Sequence, residues 1–379
     1  MSVSRFSFPT TIHFGAGARR LVPGHLGKRG VKRPLIVTDR GLAALPILAE
    51  FRALLAGLDV ETFAGVFGNP TASQVGAGAR AYRAHRADAV IGFGGGAALD
   101  VAKAVALMAV HEGDVLEYAW DHPQVRPVVN PLPHVIALPT TSGTGSEVGR
   151  SSVISDDATH VKKVLFNPVL LPKAVFADPE LTFDLPPSVT AATGMDALTH
   201  NVESYLSPAY HPLCDGIALE GARIAARALE AAVRQPRNLA ARSDMMMSSM
   251  MGAIAFQKDL GAVHSCAHAL GTVVDMHHGL ANGIMIDHVM RFNADAAQAK
   301  MAELARVCGA GDTAESFIQW LGALKARVGI PAGLAGKGVG EAQVARLVEV
   351  AVNDICHQTN PRPVSPGDFE RIFRAALAA

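Results

Sequence analysis

Cysteine is scarce in this chain and unpatterned. Its four thiols (Cys214, Cys266, Cys308, Cys356) include no C-x-x-C pair, which argues against a disulfide framework and for reduced side chains in a cytosol. A charge excess is absent too. Lys+Arg and Asp+Glu both total 34, so nothing draws the protein to nucleic acid or to an anionic membrane surface. No stretch reaches the roughly 18 apolar residues that a membrane span requires. The opening MSVSRFSFPTTIHFGAG has no continuous apolar core, so a signal peptide is not expected. The longest methionine run (Met245, Met246, Met247, Met250, Met251) is too short to span and reads as core filler on a helix. Internal repeats and low-complexity tracts are missing as well. What remains is a chain of 379 residues with 49% hydrophobic and 18% charged residues. Such a chain is expected to be a cytoplasmic protein of two domains with large buried surfaces.

The first half alternates apolar runs with helical patterns. Strands are expected at 34–38, 60–63, 89–93, 134–138 and 174–177, and helices over 42–58, 72–85 and 99–110. That alternation predicts a parallel sheet covered by helices on both faces. After Asp184-Leu185-Pro186-Pro187 the β-branched runs thin out. Long Ala/Leu/Met-rich segments follow, punctuated by Gly or Pro at 212, 216, 236, 261, 279 and 331, as in an all-helical domain. The expected division is 1–184, an α/β dinucleotide-binding domain, and 185–379, a helical metal-binding domain.

Three groups of residues carry chemistry. Gly94-Gly95-Gly96 follow a strand and open a helix, where backbone N–H groups and the helix dipole favour phosphate; a plain tight turn would read the same way. The loop from Pro139 to Glu147 (PTTSGTGSE) also follows a strand and offers hydroxyls without charge, although an N-cap would share that composition. Asp39 ends the first clear strand, where an acid can accept from the adenosine ribose. It precedes the glycines by 55 residues, whereas the common fingerprint puts it about 20 after them. The fold is therefore a variant, and a turn role for Asp39 stays open. Finally, Asp196 and His200 are four apart on one helix face, and His264 and His268 repeat that spacing before the pair His277-His278. One carboxylate with imidazoles from separate segments suits a divalent metal. Cys266 points away from that face and reads as core.

These segments together resemble the iron-containing (group III) alcohol dehydrogenases. The carriers are GGGAALDVAK (94–103), ALPTTSGTGSEV (137–148), GMDALTH (194–200), AVHSCAHALG (262–271) and HHGLAN (277–282), with support from ATHVKKV (158–164) and NPRP (360–363). The resemblance implies a dehydroquinate-synthase-like architecture and a cytoplasmic homodimer or larger homo-oligomer. It implies a metal, Fe²⁺ by family and Zn²⁺ or another divalent ion by donor set, held by Asp196, His200, His264 and His278. It places NAD along Gly94, Gly95, Gly96, Asp100, Thr140, Thr141 and Thr144, with Lys162 near the ribose and Asp39 favouring NAD over NADP. Two departures stand out. Ala97 replaces the usual Ser after the glycines, and His277 replaces the usual Pro before the last ligand. The second leaves two adjacent histidines, of which the register favours His278.

The implied activity is NAD-linked oxidation of a short primary alcohol, diol or ω-hydroxy acid, or reduction of the aldehyde. His268, one turn from His264, is expected to assist proton movement without binding the metal. The segments 255–265 and 356–363 look most like the branch that holds 4-hydroxybutyrate dehydrogenases. Lys258 or His357 would then pair with a distal carboxylate, unless Lys258 is simply solvated at a helix end. Competing readings are a sister enzyme of the same fold, of the zinc glycerol dehydrogenase or maleylacetate reductase kind, and a non-catalytic NAD- or metal-binding protein.

Overall fold

The computed structural model describes residues 10–379. They form two compact units. One comprises residues 10–141 and Gly145–Thr182, the other Phe183–Ala379 with the short piece Ser142–Thr144.

The first unit contains eight strands: β1 (Thr11–Phe14), β2 (Pro34–Asp39), β3 (Glu61–Val66), β4 (Ala89–Gly94), β5 (His134–Pro139), β6 (Ser151–Ser155), β7 (Lys162–Phe166) and β8 (Ala174–Ala177). Six of them form a parallel sheet in the order β1-β8-β5-β4-β2-β3, and β6 and β7 pair as a separate antiparallel ribbon. Its helices are α1 (Val22–Lys28), α2 (Arg40–Ala43), α3 (Pro46–Leu54), α4 (Ala72–His85) and α5 (Gly96–Val110). Both faces of the sheet are covered, and the strand sequences show why. Leu35, Val37, Val90 and Val135 point into one core, with α4 and α5 residues such as Val75 and Val105. Ile36, Ile91, Phe93, Ile136, Leu138 and Phe176 point into the other, with Leu26 of α1 and Phe51 of α3. Apolar residues at every position, sorted by the period of two, are what a buried parallel strand needs.

Two expectations change here. The single helix read over 42–58 is two short ones, α2 and α3, because Pro46 cannot continue a helix and holds Leu45 in an extended conformation (φ −92°, ψ 149°). The strands β1, β6 and β7 escaped the pattern; β1 is a four-residue edge strand, and the ribbon mixes serines and lysines with its apolar residues.

The second unit is helical: α6 (Pro187–Leu206), α7 (Pro212–Arg234), α8 (Leu239–Ala255), α9 (Ala262–Val274), α10 (His278–Val307), α11 (Ala314–Val328), α12 (Glu341–Asn353) and α13 (Pro366–Leu377). At its centre lies α6, which packs against α7, α8 and α10 and is buried continuously from Thr190 to Ser204. Its polar residues survive burial by bonding to nearby backbone. Thr199 Oγ1 donates to the Met195 carbonyl at 2.8 Å, and Asn201 Nδ2 to the carbonyls of Ala197 and Ser248 at 2.8 and 3.0 Å. The methionine run lies on α8, with Met245, Met246 and Met250 buried. Among the described residues no helix is long and apolar enough to cross a membrane.

Of the residues read as helix breaks, Gly216 and Gly279 lie inside α7 and α10. Gly279 is explained by close approach. A Cβ there would meet the Ala192 carbonyl oxygen at 2.4 Å and Asp196 Cβ at 3.3 Å, so glycine lets α10 seat directly on α6. Gly279→Ala is expected to lift the start of α10 off α6, at a cost of about 1–3 kcal/mol in stability. Thermal unfolding of the metal-free protein reads that cost. A melting temperature equal to that of the parent would show that the contact is not tight.

Candidate metal centre

Three helices bring four side chains together. Asp196 and His200 lie one turn apart on α6, His264 is on α9, and His278 opens α10. One ligand atom from each lies within 4.8 Å of the others, and only His278 is not fully buried. The His264 ring stacks on His200 at 4.7 Å between centroids and lies 5.4 Å from that of His278. Asp196 Oδ1 is 3.4 Å from His278 Nε2 and 4.0 Å from His264 Nε2. Asn282, one turn into α10, places its amide Nδ2 among these atoms, at 2.7 Å from Asp196 Oδ1, 3.1 Å from His278 Nε2 and 3.3 Å from His264 Nε2.

His264 is aimed by a partner that sequence reading missed. Its Nδ1 donates to Glu203 Oε2 at 2.6 Å, while the backbone N–H of Val263 donates to Glu203 Oε1 at 2.7 Å. The ring therefore turns its Nε2 lone pair toward Asp196 and His278, the carboxylate–histidine arrangement that fixes a ligand's tautomer. Glu203 was detectable in principle: it lies seven residues after Asp196 and three after His200 on one buried helix, and so on the same face.

Does this pocket suit a divalent cation? Asp196 and Glu203 are both 2% exposed at their side chains, and among the described residues neither pairs with a lysine or arginine. Buried carboxylates without a cation are costly. Burial also drives the His200 imidazole down to about 4, against the pull of Asp196 and of a hydrogen bond to the Gly143 backbone, so the ring is neutral. Two buried carboxylates beside imidazoles, one of them held neutral, are the donor set of a borderline divalent ion such as Fe²⁺ or Zn²⁺. The residues fit the group.

The neighbouring assignments follow. His278, not His277, joins the cluster; His277 is exposed and caps α10. Cys266 is fully buried, and burial pushes its thiol well up, so it is a core residue. His268 stands beside the cluster, its ring 5.3 Å from that of His278 and 6.1 Å from that of His264. It is tied through Nδ1 to Asp354 Oδ2 at 2.7 Å.

The proposed carboxylate partners for a substrate do not hold up. Lys258 is neither solvated nor available. It is 2% exposed, and its Nζ pairs with Asp215 Oδ1 at 2.5 Å and bonds the Tyr205 carbonyl near the end of α6. His357 gives its Nε2 to the Val352 carbonyl at 3.0 Å and sets its ring edge-on to Phe369. Both are part of the framework.

In the first unit, β4 pairs with β2 on one side and β5 on the other, so the carboxyl ends of all three strands lie together. Gly94 has φ +155°, a conformation that side chains rarely adopt, and a Cβ on it would lie 3.5 Å from Asp39 Oδ2. The residues separated by 55 positions are thus neighbours. Asp39 also caps α2, accepting from Leu42 N at 2.8 Å. The second loop meets the first: Thr140 N donates to the Gly94 carbonyl at 3.0 Å, and a Cβ on Gly95 would touch Thr141. Asp100, expected to face the cofactor, instead braces the loop, accepting from Ser146 Oγ at 2.6 Å and Val153 N at 3.0 Å with Lys103 Nζ at 3.1 Å. Lys162 opens β7 on the separate ribbon, paired with Ser155, whose N–H donates to the Pro70 carbonyl in the loop after β3. Thr144 belongs to the short 142–144 piece of the helical unit. Glu147 is buried with Oε1 unpartnered, and burial raises its carboxyl to about 7 despite Lys103 nearby.

Comparisons with known proteins agree with this construction. Residues 9–179 match the family model described as iron-containing alcohol dehydrogenase, and residues 190–377 match the C-terminal model of the Fe-containing alcohol dehydrogenase family. The chain is 39% identical to a 4-hydroxybutyrate dehydrogenase of Cupriavidus necator, over 97% of this chain and 98% of that one. Among solved structures, a 1,3-propanediol oxidoreductase superposes with a TM-score of 0.93 at 36% identity, covering 98% of this chain and 100% of that one. A sulfoacetaldehyde reductase from Bifidobacterium kashiwanohense, in complex with NAD⁺, gives 0.90 at 28% identity, with both chains covered in full.

Two outcomes are expected from these geometries. Glu203→Gln must turn an amide N–H toward either His264 Nδ1–H or Val263 N–H, so it should weaken metal binding about 10- to 100-fold; titration calorimetry with Zn²⁺ measures it, and unchanged affinity would remove Glu203 from the site. Glu147→Gln addresses the buried carboxyl. Because the folded pKa lies above the ordinary 4.5, its favourable contribution is full below 4.5 and lost as pH rises through about 7. The variant's stability advantage over the parent should therefore grow from pH 5 to pH 8, approaching about 3 kcal/mol, in paired denaturant titrations.

Proposed function

We propose, for a chain that belongs to the iron-containing alcohol dehydrogenase family, that it interconverts a short primary alcohol and its aldehyde with NAD and a bound divalent metal. The convergence of Asp196, His200, His264 and His278 from three helices carries the reading. A cation held there would supply Lewis acidity toward an alcohol or carbonyl oxygen, and NAD would supply the hydride acceptor.

The chain's own residues have defined parts. Asp196 brings the negative charge that retains the ion, and Glu203, through His264, keeps one nitrogen lone pair directed at it. Gly94, Gly95 and Gly96 make the turn from β4 into α5, whose N-terminal backbone N–H groups would receive a pyrophosphate. Thr140 and Thr141 line the adjoining loop, which Asp100 and Lys103 hold in shape. Asp39, beside Gly94, suits a ribose with free hydroxyls and repels a 2′-phosphate, which favours NAD over NADP. Thr144 and Lys162 complete the cofactor residues that the motif implies. The family favours Fe²⁺; the donor set also accepts Zn²⁺.

The relatives named for 4-hydroxybutyrate and 1,3-propanediol point to a short primary alcohol bearing a second polar group. Since Lys258 is committed to Asp215, discrimination between a hydroxyl and a carboxylate at that end does not rest on it. The same reading takes the protein to be a cytoplasmic homodimer or larger homo-oligomer.

The test is alcohol-dependent NADH formation by Fe²⁺-reconstituted protein on 4-hydroxybutyrate, 1,3-propanediol and 1-butanol. Activity is expected with NAD, weaker with NADP, lost on chelation and restored by Fe²⁺. Lys258→Met should leave the ratio of kcat/KM values among the three substrates unchanged. Full activity after verified metal removal, or binding of NAD and metal without turnover on any alcohol or aldehyde, would overturn the reading.

A further inference from the structure

His268 stands outside the four clustered side chains, yet like His264 it has its Nδ1 tied to a carboxylate, and the wiring has a definite chemical polarity. Its Nδ1 is 2.7 Å from Asp354 Oδ2, and its Nε2 has no hydrogen-bond partner among the described residues. Asp354 sits just past the end of α12, and its other oxygen, Oδ1, is fully engaged. It accepts from Ser265 Oγ at 2.8 Å and from the backbone N–H of Cys356 at 2.9 Å. Neither donor can reverse. The backbone N–H only donates, and Ser265 Oγ already accepts from His357 N at 2.9 Å, which directs its single proton to Asp354. The carboxylate is thus fixed in place before His268 is considered. Its Oδ2 can only accept, so Nδ1 must carry the proton and Nε2 must be the lone pair.

We propose that Asp354 is a positioning residue that locks His268 in the Nδ1–H tautomer, making Nε2 the base for the alcohol proton. This rests on the alcohol oxidation proposed above. In that reaction the carbon loses hydride, with its electron pair, to NAD. The O–H bond breaks, and its proton passes to Nε2, directly or through one water, and then to solvent. Reduction of the aldehyde runs the same transfers in reverse. A carboxylate that orients an imidazole for this purpose stabilises one tautomer and the imidazolium that forms, without taking the proton itself.

The arrangement predicts an inversion that a merely structural role would not give. In Asp354→Asn the two fixed donors hold the amide oxygen where Oδ1 was. The NH₂ group must then face His268 Nδ1, which becomes the acceptor, and Nε2 acquires the proton. Asp354→Ala removes the partner and imposes neither tautomer. The isosteric change should therefore be worse than the truncation.

The experiment uses the full-length chain labelled with ¹⁵N-histidine, with His268 assigned through His268→Gln. In metal-free parent protein, long-range ¹H–¹⁵N spectra should show a protonated, pyrrole-type Nδ1 and a pyridine-type Nε2 for His268, reversed in Asp354→Asn. In reconstituted enzyme, Asp354→Asn should lower kcat about 10- to 100-fold, and more than Asp354→Ala does, with KM, NAD affinity and metal content unchanged. In a His268→Gln background, Asp354→Asn should cost nothing further. An Nε2–H tautomer in the parent overturns the proposal without any Asp354 variant having to fold. So does a loss in Asp354→Asn no larger than in Asp354→Ala, or one that persists without His268. If the parent lacks alcohol-linked turnover, the functional reading fails instead, and the spectra still decide the role of Asp354.

Discussion

Two carboxylates that are buried without a lysine or arginine partner among the described residues govern the helical unit. Asp196 and Glu203 stand on one face of α6, which is enclosed along fifteen consecutive residues from Thr190 to Ser204. Folding strips their water and returns only N–H donors: Asn282 for Asp196, and His264 with the α9 backbone for Glu203. That is enough to hold the groups in position and too little to balance their charge. His200 cannot supply the difference, since a cation created by protonating it is itself disfavoured by burial. A divalent ion would resolve the conflict from outside the chain. The packing of α9 and α10 on α6, the glycine at 279 and the carboxylate behind His264 all serve to keep that conflict localised at one point.

The fold was largely legible because its signals are local. Alternating apolar strands and amphipathic helices are repeated within a few residues, and both faces of the sheet are buried by residues that read as continuous apolar runs. Where the pattern failed, the cause was a single residue, a short edge, or a ribbon that mixes polar with apolar residues. Pro46 cuts one helix in two, and β1 is only four residues long. The clustering of four side chains was legible for a similar reason. Asp196 with His200, and His264 with His268, each advertise themselves at helical spacing, and the ordered motifs joined them.

What escaped the sequence was pairing between distant segments. Asp39 and Gly94 are 55 residues apart, and only the β2–β4 adjacency makes them neighbours. Lys258 reads as a cation free to meet a substrate, yet Asp215, on α7, claims it. Asp100 lies in the glycine motif and faces the hydroxyl-rich loop as its brace. Asp354 is 86 residues from His268 and carries no local mark of its role. A single chain displays periodicity along itself; it does not display which carboxylate will meet which cation or imidazole across the fold.

The helix α9 carries two histidines one turn apart, and each has its Nδ1 tied to a carboxylate of a different element, Glu203 on α6 and Asp354 beyond α12. The helix is pinned at two points, one turn apart, against two different elements. It cannot turn about its axis or slide along it without surrendering both bonds, the one to Glu203 in fully buried surroundings. Its amides around Ser265–Ala267 should consequently exchange with solvent only through cooperative unfolding of the unit. Breathing motions that admit and release small molecules have to be borne by other segments, while α9 behaves as a fixed reference frame.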